Sequence, residues 1–95
     1  MNTTTERISN ICRYNQNLIN VIERKLCIYK RSYLAFVRYG IKNYKEDMSR
    51  MYAGLEAIKD VLGTMNIELI INYNNYTATF HDLTNDFEIE IQATM

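Results

Sequence analysis

The sequence predicts an α+β fold in which two N-terminal helices precede a three-stranded antiparallel β-meander. Three observations lead to this prediction. Apolar residues recur at helical spacing as far as residue 62, the hydrophobic period then changes to two, and turn-forming residues separate three short alternating segments. With 95 residues, of which 47% are hydrophobic, the chain can bury one core and has little room for a second. We therefore expect a single domain over residues 1–95.

A run of apolar and aromatic residues at alternating three- and four-residue spacing dominates the middle of the chain. This spacing is typical of the face that one helix packs against a neighbour. We call this run the helical seam, and it consists of Leu34, Val37, Ile41, Tyr44, Met48, Met51, Leu55, Ile58 and Leu62. The seam can pack inside its own chain or against a partner, which leaves self-association open.

The pattern of apolar residues before residue 63 predicts two helices, at about 4–39 and 43–62. Gly40 is suited to the left-handed position after a helix, and Asn43 with Glu46 three residues later forms a potential capping box. The alternative is one continuous long helix, because the seam keeps its register across Gly40.

The first helix begins after Thr3, which precedes Glu6 in a second potential capping box. Its apolar positions continue at helical spacing through Ile8, Ile11 and Ile22. Gly63 is a candidate for the residue that ends the second helix, since glycine adopts the left-handed conformation at little cost.

Three amphipathic strands are predicted at about 67–73, 76–82 and 87–93. Asn74 and Asn75 suit a two-residue type I′ turn, because asparagine tolerates positive φ. The segment 83–86 gives a four-residue loop. Together the two turns fix a register that puts the apolar residues on one face, pairing Ile71 with Ala78, Leu69 with Phe80, Phe80 with Ile89 and Ala78 with Ile91.

Charge is unevenly distributed, although the 11 basic and 11 acidic residues cancel. Basic residues dominate up to residue 50 and acidic residues dominate after it. The two halves can attract each other within one molecule or dock neighbouring copies head to tail. A basic stripe stands out: Arg24, Arg31, Arg38 and Lys45 are seven residues apart, with Lys42 beside them. On a helix it would lie in solvent, contact an acidic protein surface or follow the phosphates of a nucleic acid.

Few residues are candidates for catalysis or for binding a metal ion. In the predicted register Glu68, His81 and Glu88 form one row across the sheet, which is a weak candidate for a metal or pH-sensitive site and more often an exposed charge pair. Cys12 and Cys27 are too far apart on one helix to form a disulfide, so we expect reduced thiols. No nucleophile–base pair or phosphate-binding glycine loop is present, so we expect neither an enzyme nor a cofactor.

The sequence therefore favours a small, non-enzymatic, intracellular protein-interaction protein that uses its helical surface for self-association or for an acidic partner. The alternative is a nucleic-acid or nucleotide-binding module that uses the basic stripe. The start of the chain lacks the pattern of a signal peptide and no apolar run is long enough for a membrane span, so we expect a cytoplasmic protein without membrane contact. Abundant Asn, Ile and Tyr with no Trp are typical of AT-rich genomes, such as those of phages and mobile elements.

Overall fold

A computed structural model describes the backbone of residues 3–93 and the side chains of residues 15–93. Helix α1 spans Thr3–Tyr39 and helix α2 spans Lys42–Thr64. Strands β1 (Ile67–Asn72), β2 (Thr77–Asp82) and β3 (Phe87–Gln92) form an antiparallel sheet in the order β1-β2-β3. The predicted α+β fold with a β-meander is confirmed. The capping box predicted at Thr3 and Glu6 lies outside the described side chains, as do Ile8, Ile11 and Cys12.

The chain reverses at Gly40, so the helical region is a hairpin of two antiparallel helices. Gly40 has φ 67° and donates its N–H to the Phe36 carbonyl at 2.6 Å. Glycine suits this position because an L side chain in the left-handed region costs about 1–2 kcal/mol. The predicted break is confirmed, and the continuous helix is wrong. The capping box predicted at Asn43 and Glu46 is also wrong, because α2 starts at Lys42 after Ile41, with no side-chain hydrogen bond at the cap.

Two other local predictions are wrong in detail. Helix α2 runs past Gly63 to Thr64, and the left-handed residue after it is Asn66, with φ 60°. The first hairpin has a four-residue loop over residues 73–76 in which Tyr76 takes the positive φ of 58°. In this loop the N–H groups of Asn74 and Asn75 donate hydrogen bonds to the Asn72 side-chain oxygen, at 2.9 and 3.4 Å.

The second loop is built in the same way. The Asp82 side chain accepts hydrogen bonds from the N–H groups of Thr84 at 3.1 Å and Asn85 at 3.2 Å, while Asp86 takes a φ of 50°. Although burial raises it, the hydrogen bonds from Asn85 and Thr84 lower the pKa of Asp82 below its ordinary value. Asn15 of α1 is buried beside Asp82, and its side-chain amide, as a donor toward the carboxylate, also lowers the pKa of Asp82.

The predicted strand register is confirmed, because a four-residue loop over 73–76 pairs the same residues as a two-residue turn at 74–75. The observed pairs include Ile71 with Ala78, Leu69 with Phe80, Phe80 with Ile89 and Ala78 with Ile91. One face of the sheet is therefore apolar and packs on both helices. The core consists of Ile19, Ile22, Leu26, Leu55, Leu62, Ile67, Leu69, Ala78, Phe80 and Ile91.

The sheet covers only part of the helical hairpin. The protein measures 58 × 25 × 18 Å, whereas a six-residue strand spans about 20 Å. Between Ser32 and Leu55, which are both buried, no residue in the range 33–54 is buried. This part of the hairpin extends beyond the sheet, and we call it the tip.

Candidate functional site

The tip exposes large apolar side chains that the sequence pattern predicts to be packed. Val37 is 64% exposed, Ile41 49% and Leu34 42%. Tyr39 is 61% exposed at the end of α1. Contiguous exposed apolar residues of this kind mark contact surfaces more often than isolated ones do. The tip is therefore the principal candidate for an interaction surface.

Helical periodicity shows which side of the tip continues the face under the sheet. On α1, Val37 lies one turn beyond Tyr33, whose ring is 6.5 Å from that of Tyr76 in the first β-loop. On α2, Tyr52 contacts the Tyr73 ring at 5.0 Å. On the same side of α2, in the direction of Gly40, the next residues are Met48, Lys45 and Ile41. We call this uncovered surface the shelf, defined by Tyr33, Val37, Ile41, Lys45, Met48 and Tyr52.

Tyrosines mark the boundary between the sheet and the shelf. The Tyr29 ring of α1 lies 5.0 Å from Tyr73 and 6.2 Å from Tyr76. It also stacks on Tyr33 at 6.2 Å with an interplanar angle of 8°. With Tyr52 on α2, these rings attach the first β-loop to both helices. The i, i+4 spacing of Tyr29 and Tyr33 was a sequence signal for this cluster, but the loop partners became evident only in the folded chain.

One hydrogen bond anchors the same boundary to α2. The Tyr73 hydroxyl donates to the Glu56 carboxylate at 3.0 Å. Burial, followed by the hydrogen bond to Glu56 and its negative charge, raises the pKa of Tyr73 above its ordinary value. The neutral phenol therefore persists well into alkaline solution, and the loop is held at the start of the shelf.

The tip carries four basic residues against two acidic residues, and part of this charge is paired locally. Lys42 is 3.9 Å from Glu46 and Arg50 is 3.6 Å from Asp47. Such exposed pairs contribute little, about 0–1 kcal/mol each, so they leave these charges accessible. The excess positive charge makes the tip suited to an acidic surface.

The two remaining basic side chains of the tip lie over aromatic rings. The Lys45 ammonium is 5.9 Å from the centre of the Phe36 ring, and the Arg38 guanidinium is 5.9 Å from that of Tyr39. Within the described residues, neither side chain lies within 4.0 Å of a carboxylate.

The basic stripe is split by the break at Gly40. Arg24, Arg31 and Arg38 form an exposed row on α1, at intervals of about 10 Å given 1.5 Å per residue. By periodicity this row faces away from the buried side of α1 that contains Ile22 and Leu26. Lys42 and Lys45 lie on α2, beyond the chain reversal, so they do not extend the row. The five residues therefore form two surfaces.

The helical seam is divided as well. Leu55 and Leu62 are buried and Ile58 packs against the core, so this end of the seam packs within its own chain. Tyr44, Met48 and Met51 are half-buried. The seam residues before them, Leu34, Val37 and Ile41, are exposed. The seam therefore does not run along one continuous helix, because the chain reverses at Gly40, after Leu34 and Val37 and before the later seam residues.

The outer face of the sheet is acidic. No lysine or arginine follows Lys59, and three exposed glutamates, Glu68, Glu88 and Glu90, lie on the face opposite the core. Ile70 is 55% exposed in the middle of the same face. The sheet thus presents a negatively charged surface with one large apolar residue.

The strand register pairs Glu68 with His81 and His81 with Glu88, so the predicted row across the sheet is present. Atoms of the His81 ring lie 3.7 Å from the Asp86 carboxylate and 3.8 Å from that of Glu88. Among the described residues no group of three or more His, Cys, Asp or Glu side chains is placed to hold a metal ion. Cys27 is half-buried on α1 and forms no disulfide with a described residue.

Comparison with protein-family models, with curated proteins and with solved structures finds no match to this chain. Function is therefore inferred from the surfaces of the molecule alone. Neither helix, over the part that the structure describes, combines the length and the apolar character needed to cross a membrane.

Proposed function

We propose that this protein is a non-enzymatic protein-interaction module that binds its partner through the tip of the helical hairpin. The single observation that carries the proposal is the absence of any buried residue in the range 33–54, although this range includes six large side chains of the seam and four further tyrosine or phenylalanine rings. Apolar side chains each gain about 1.5–3 kcal/mol when they leave water completely. A partner that covers the tip would gain this free energy.

Charge indicates the kind of surface that would cover the tip. The basic excess at the tip is complementary to an acidic surface, and the exposed apolar residues supply the contact area that charge alone does not provide. Tyr and Arg, which are enriched at the centres of protein interfaces, are both present there as Tyr39 and Arg38. We infer a protein partner with acidic residues around an apolar patch.

A photo-crosslinking amino acid at Val37 tests this function. The matched control carries the same group at Asn17, which is also exposed on α1 but lies outside the tip. We expect covalent protein adducts from position 37, in the purified protein or in an extract of the cells that produce it, and none from position 17. If both positions give the same adducts, or neither gives any, the tip is not the contact surface.

A nucleic-acid-binding module is the second candidate, and the exposed Arg24, Arg31 and Arg38 row is the observation that favours it. Guanidinium groups in a row could contact successive phosphates. The double variant Arg31→Glu with Arg38→Glu should then abolish binding to single- or double-stranded DNA or RNA, and binding should weaken steeply with salt. The control is Arg50→Glu with Lys59→Glu, which changes the net charge equally on α2. Equal loss in both variants, or no binding by the original protein at low salt, would rule this candidate out.

A further inference from the structure

We propose that the free edge of β3 is a second interaction site, which binds a basic segment of a partner protein as a fourth, antiparallel strand. This site lies on the sheet and is separate from the tip, so it goes beyond the function proposed above. Three observations carry it: the direction of the main-chain groups of β3, the difference between the two edges of the sheet, and the side chains along β3.

The hydrogen bonds between β2 and β3 show which main-chain groups of β3 are free. The Ala93 N–H donates to the Tyr76 carbonyl at 3.0 Å. This pair directly follows the pair of Thr77 with Gln92 in the register. Bonded and non-bonded pairs alternate along an antiparallel ladder, so only every second residue of β3 bonds to β2. The residues between them direct their N–H and C=O groups toward the free edge, and they are Glu88, Glu90 and Gln92.

These outward groups have no partner within the described part of the chain. No loop, turn or side-chain hydrogen bond among the described residues involves the main chain of Glu88, Glu90 or Gln92. All three residues are exposed. Main-chain groups in this position are the ones to which an added strand bonds.

The opposite edge of the sheet is closed. The Leu83 N–H donates to the Asn66 carbonyl at 3.2 Å. By the same alternation, the outward groups of β1 belong to Ile67, Leu69 and Ile71. Ile67 is only 5% exposed and Leu69 only 1%, so an added strand cannot reach their main chain. Of the two edges, β3 is therefore the one that is open to a partner.

The side chains of β3 indicate which strand fits beside it. Glu88 and Glu90 lie on the outer face, where Glu88 is 3.8 Å from the His81 ring. Within the described residues, no cationic group lies within 4.0 Å of Glu90. On the other face, Phe87 and Ile89 pack against the core but are only half-buried. Basic residues opposite the glutamates and apolar residues opposite Phe87 and Ile89 would complete both faces.

A second copy of β3 does not fit this edge. Outward residues bond only to outward residues in an antiparallel pair, so full overlap of two copies of β3 places Glu90 of each copy opposite the same residue of the other. Like charges directly opposite each other are destabilising. The strands of this chain contain no lysine or arginine, so the basic strand comes from a different protein. The glutamates thus prevent self-pairing and leave the edge open to a strand of opposite charge.

The segment that binds is short and alternates in character. β3 has six residues and is about 20 Å long, so the partner supplies a segment of similar length. Lysine or arginine occupies every second position of this segment, and apolar residues lie between them. Main-chain hydrogen bonds then provide affinity, while the alternating side chains provide specificity.

Fluorescence anisotropy with a labelled synthetic peptide tests this proposal. The probe has about seven residues, in which lysine and valine alternate, so that it matches the length of β3. The first control peptide has glutamate in place of each lysine. The second carries a methyl group on the main-chain nitrogen of each lysine, which keeps every charge but removes the N–H groups that would bond to β3.

We expect the lysine peptide to bind at about 0.15 M salt, where exposed charges more than about 8 Å apart are largely screened. The glutamate peptide should not bind, and the methylated peptide should bind at least about tenfold more weakly, because it cannot donate to the edge. If the methylated peptide binds as tightly as the lysine peptide, charge alone causes binding and the added strand is excluded. Absence of binding by the lysine peptide at millimolar concentration also overturns the proposal.

A matched pair of protein variants locates the peptide on the molecule. Glu90→Lys should weaken binding of the lysine peptide by about tenfold or more, since like charges then face each other. Glu68→Lys makes the same change on the outer face of β1, about 10 Å from β3, and should leave binding nearly unchanged. Both residues are exposed, and circular dichroism will show that both variants fold. Equal weakening in the two variants would place the peptide on the acidic face and not at the edge, which overturns the proposal.

Discussion

The hairpin that creates the tip depends on one backbone position, and replacing Gly40 with alanine tests that dependence. Gly40 has φ 67°, and a Cβ added there meets no atom within 4 Å. The cost is therefore conformational and not steric. Placing an L side chain in the left-handed region costs about 1–2 kcal/mol, and the reduced freedom of the unfolded chain returns about 0.4–1 kcal/mol. We expect Gly40→Ala to lower the free energy of unfolding by about 1 kcal/mol.

Gly63→Ala is the matched control. A Cβ at Gly63 likewise meets nothing within 4 Å, but Gly63 lies inside α2 and has no positive φ. Alanine is favoured over glycine in a helix by about 0.8–1 kcal/mol, so this variant should be more stable than the original. The same substitution should therefore act in opposite directions at the two glycines, with a difference of about 2 kcal/mol.

Urea unfolding followed by circular dichroism measures both changes, at one fixed protein concentration because association would add to the apparent stability. Gly40→Asn provides a further check, since asparagine tolerates the left-handed region and should cost less than alanine. If Gly40→Ala is as stable as the original protein, or if both alanine variants shift in the same direction, the strained turn does not hold the hairpin.

Three further changes test the core and the two loops. Phe80→Ala, at a fully buried position, should cost about 3–5 kcal/mol in urea unfolding, and a cost below about 1 kcal/mol would contradict the described core. Because the pKa of Asp82 is lowered in the folded protein, its stabilising effect is present above the unfolded pKa of about 4 and is lost as pH falls through the folded pKa. In unfolding measured at decreasing pH, Asp82→Asn should therefore lose less stability in acid than the original protein. Equal losses of stability in the two proteins would refute this. Because the pKa of Tyr73 is raised in the folded protein, its contribution to stability is present below about pH 10 and is lost as pH rises toward the folded pKa. Tyr73→Phe should therefore be less stable than the original protein by about 1 kcal/mol at neutral pH, but should lose less stability in alkaline solution. An alkaline loss equal to that of the original protein would show that Tyr73 does not titrate with unfolding.

Local sequence was sufficient for the fold because its signals agreed. The change of hydrophobic period after residue 62 separated helices from strands, and two turns independently placed Leu69, Ala78 and Phe80 on one face. The register did not depend on the type of turn. Asn72 and Asp82 each accept hydrogen bonds from N–H groups of the four-residue loop that follows. The loop after Asn72 aligns β1 with β2 as the expected two-residue turn would, and the loop after Asp82 has the predicted length.

The surfaces were less predictable. The helical seam has one spacing throughout, yet Leu55 and Leu62 are buried while Val37 and Ile41 are exposed. Periodicity identifies the apolar side of a helix, but it carries no information about how far the covering element extends. The even spacing of Arg24, Arg31, Arg38 and Lys45 likewise suggested one stripe, which the reversal at Gly40 divides between two helices.

By itself, the sequence determined which segments are helix and strand, which faces are apolar and how the strands pair. These properties follow from interactions between residues that are near in sequence or joined by short turns. Only the tertiary structure decided that the sheet covers one part of the hairpin and leaves the shelf open beside Tyr33 and Tyr52. That outcome depends on the lengths of distant elements, because six-residue strands cannot span helices of 37 and 23 residues.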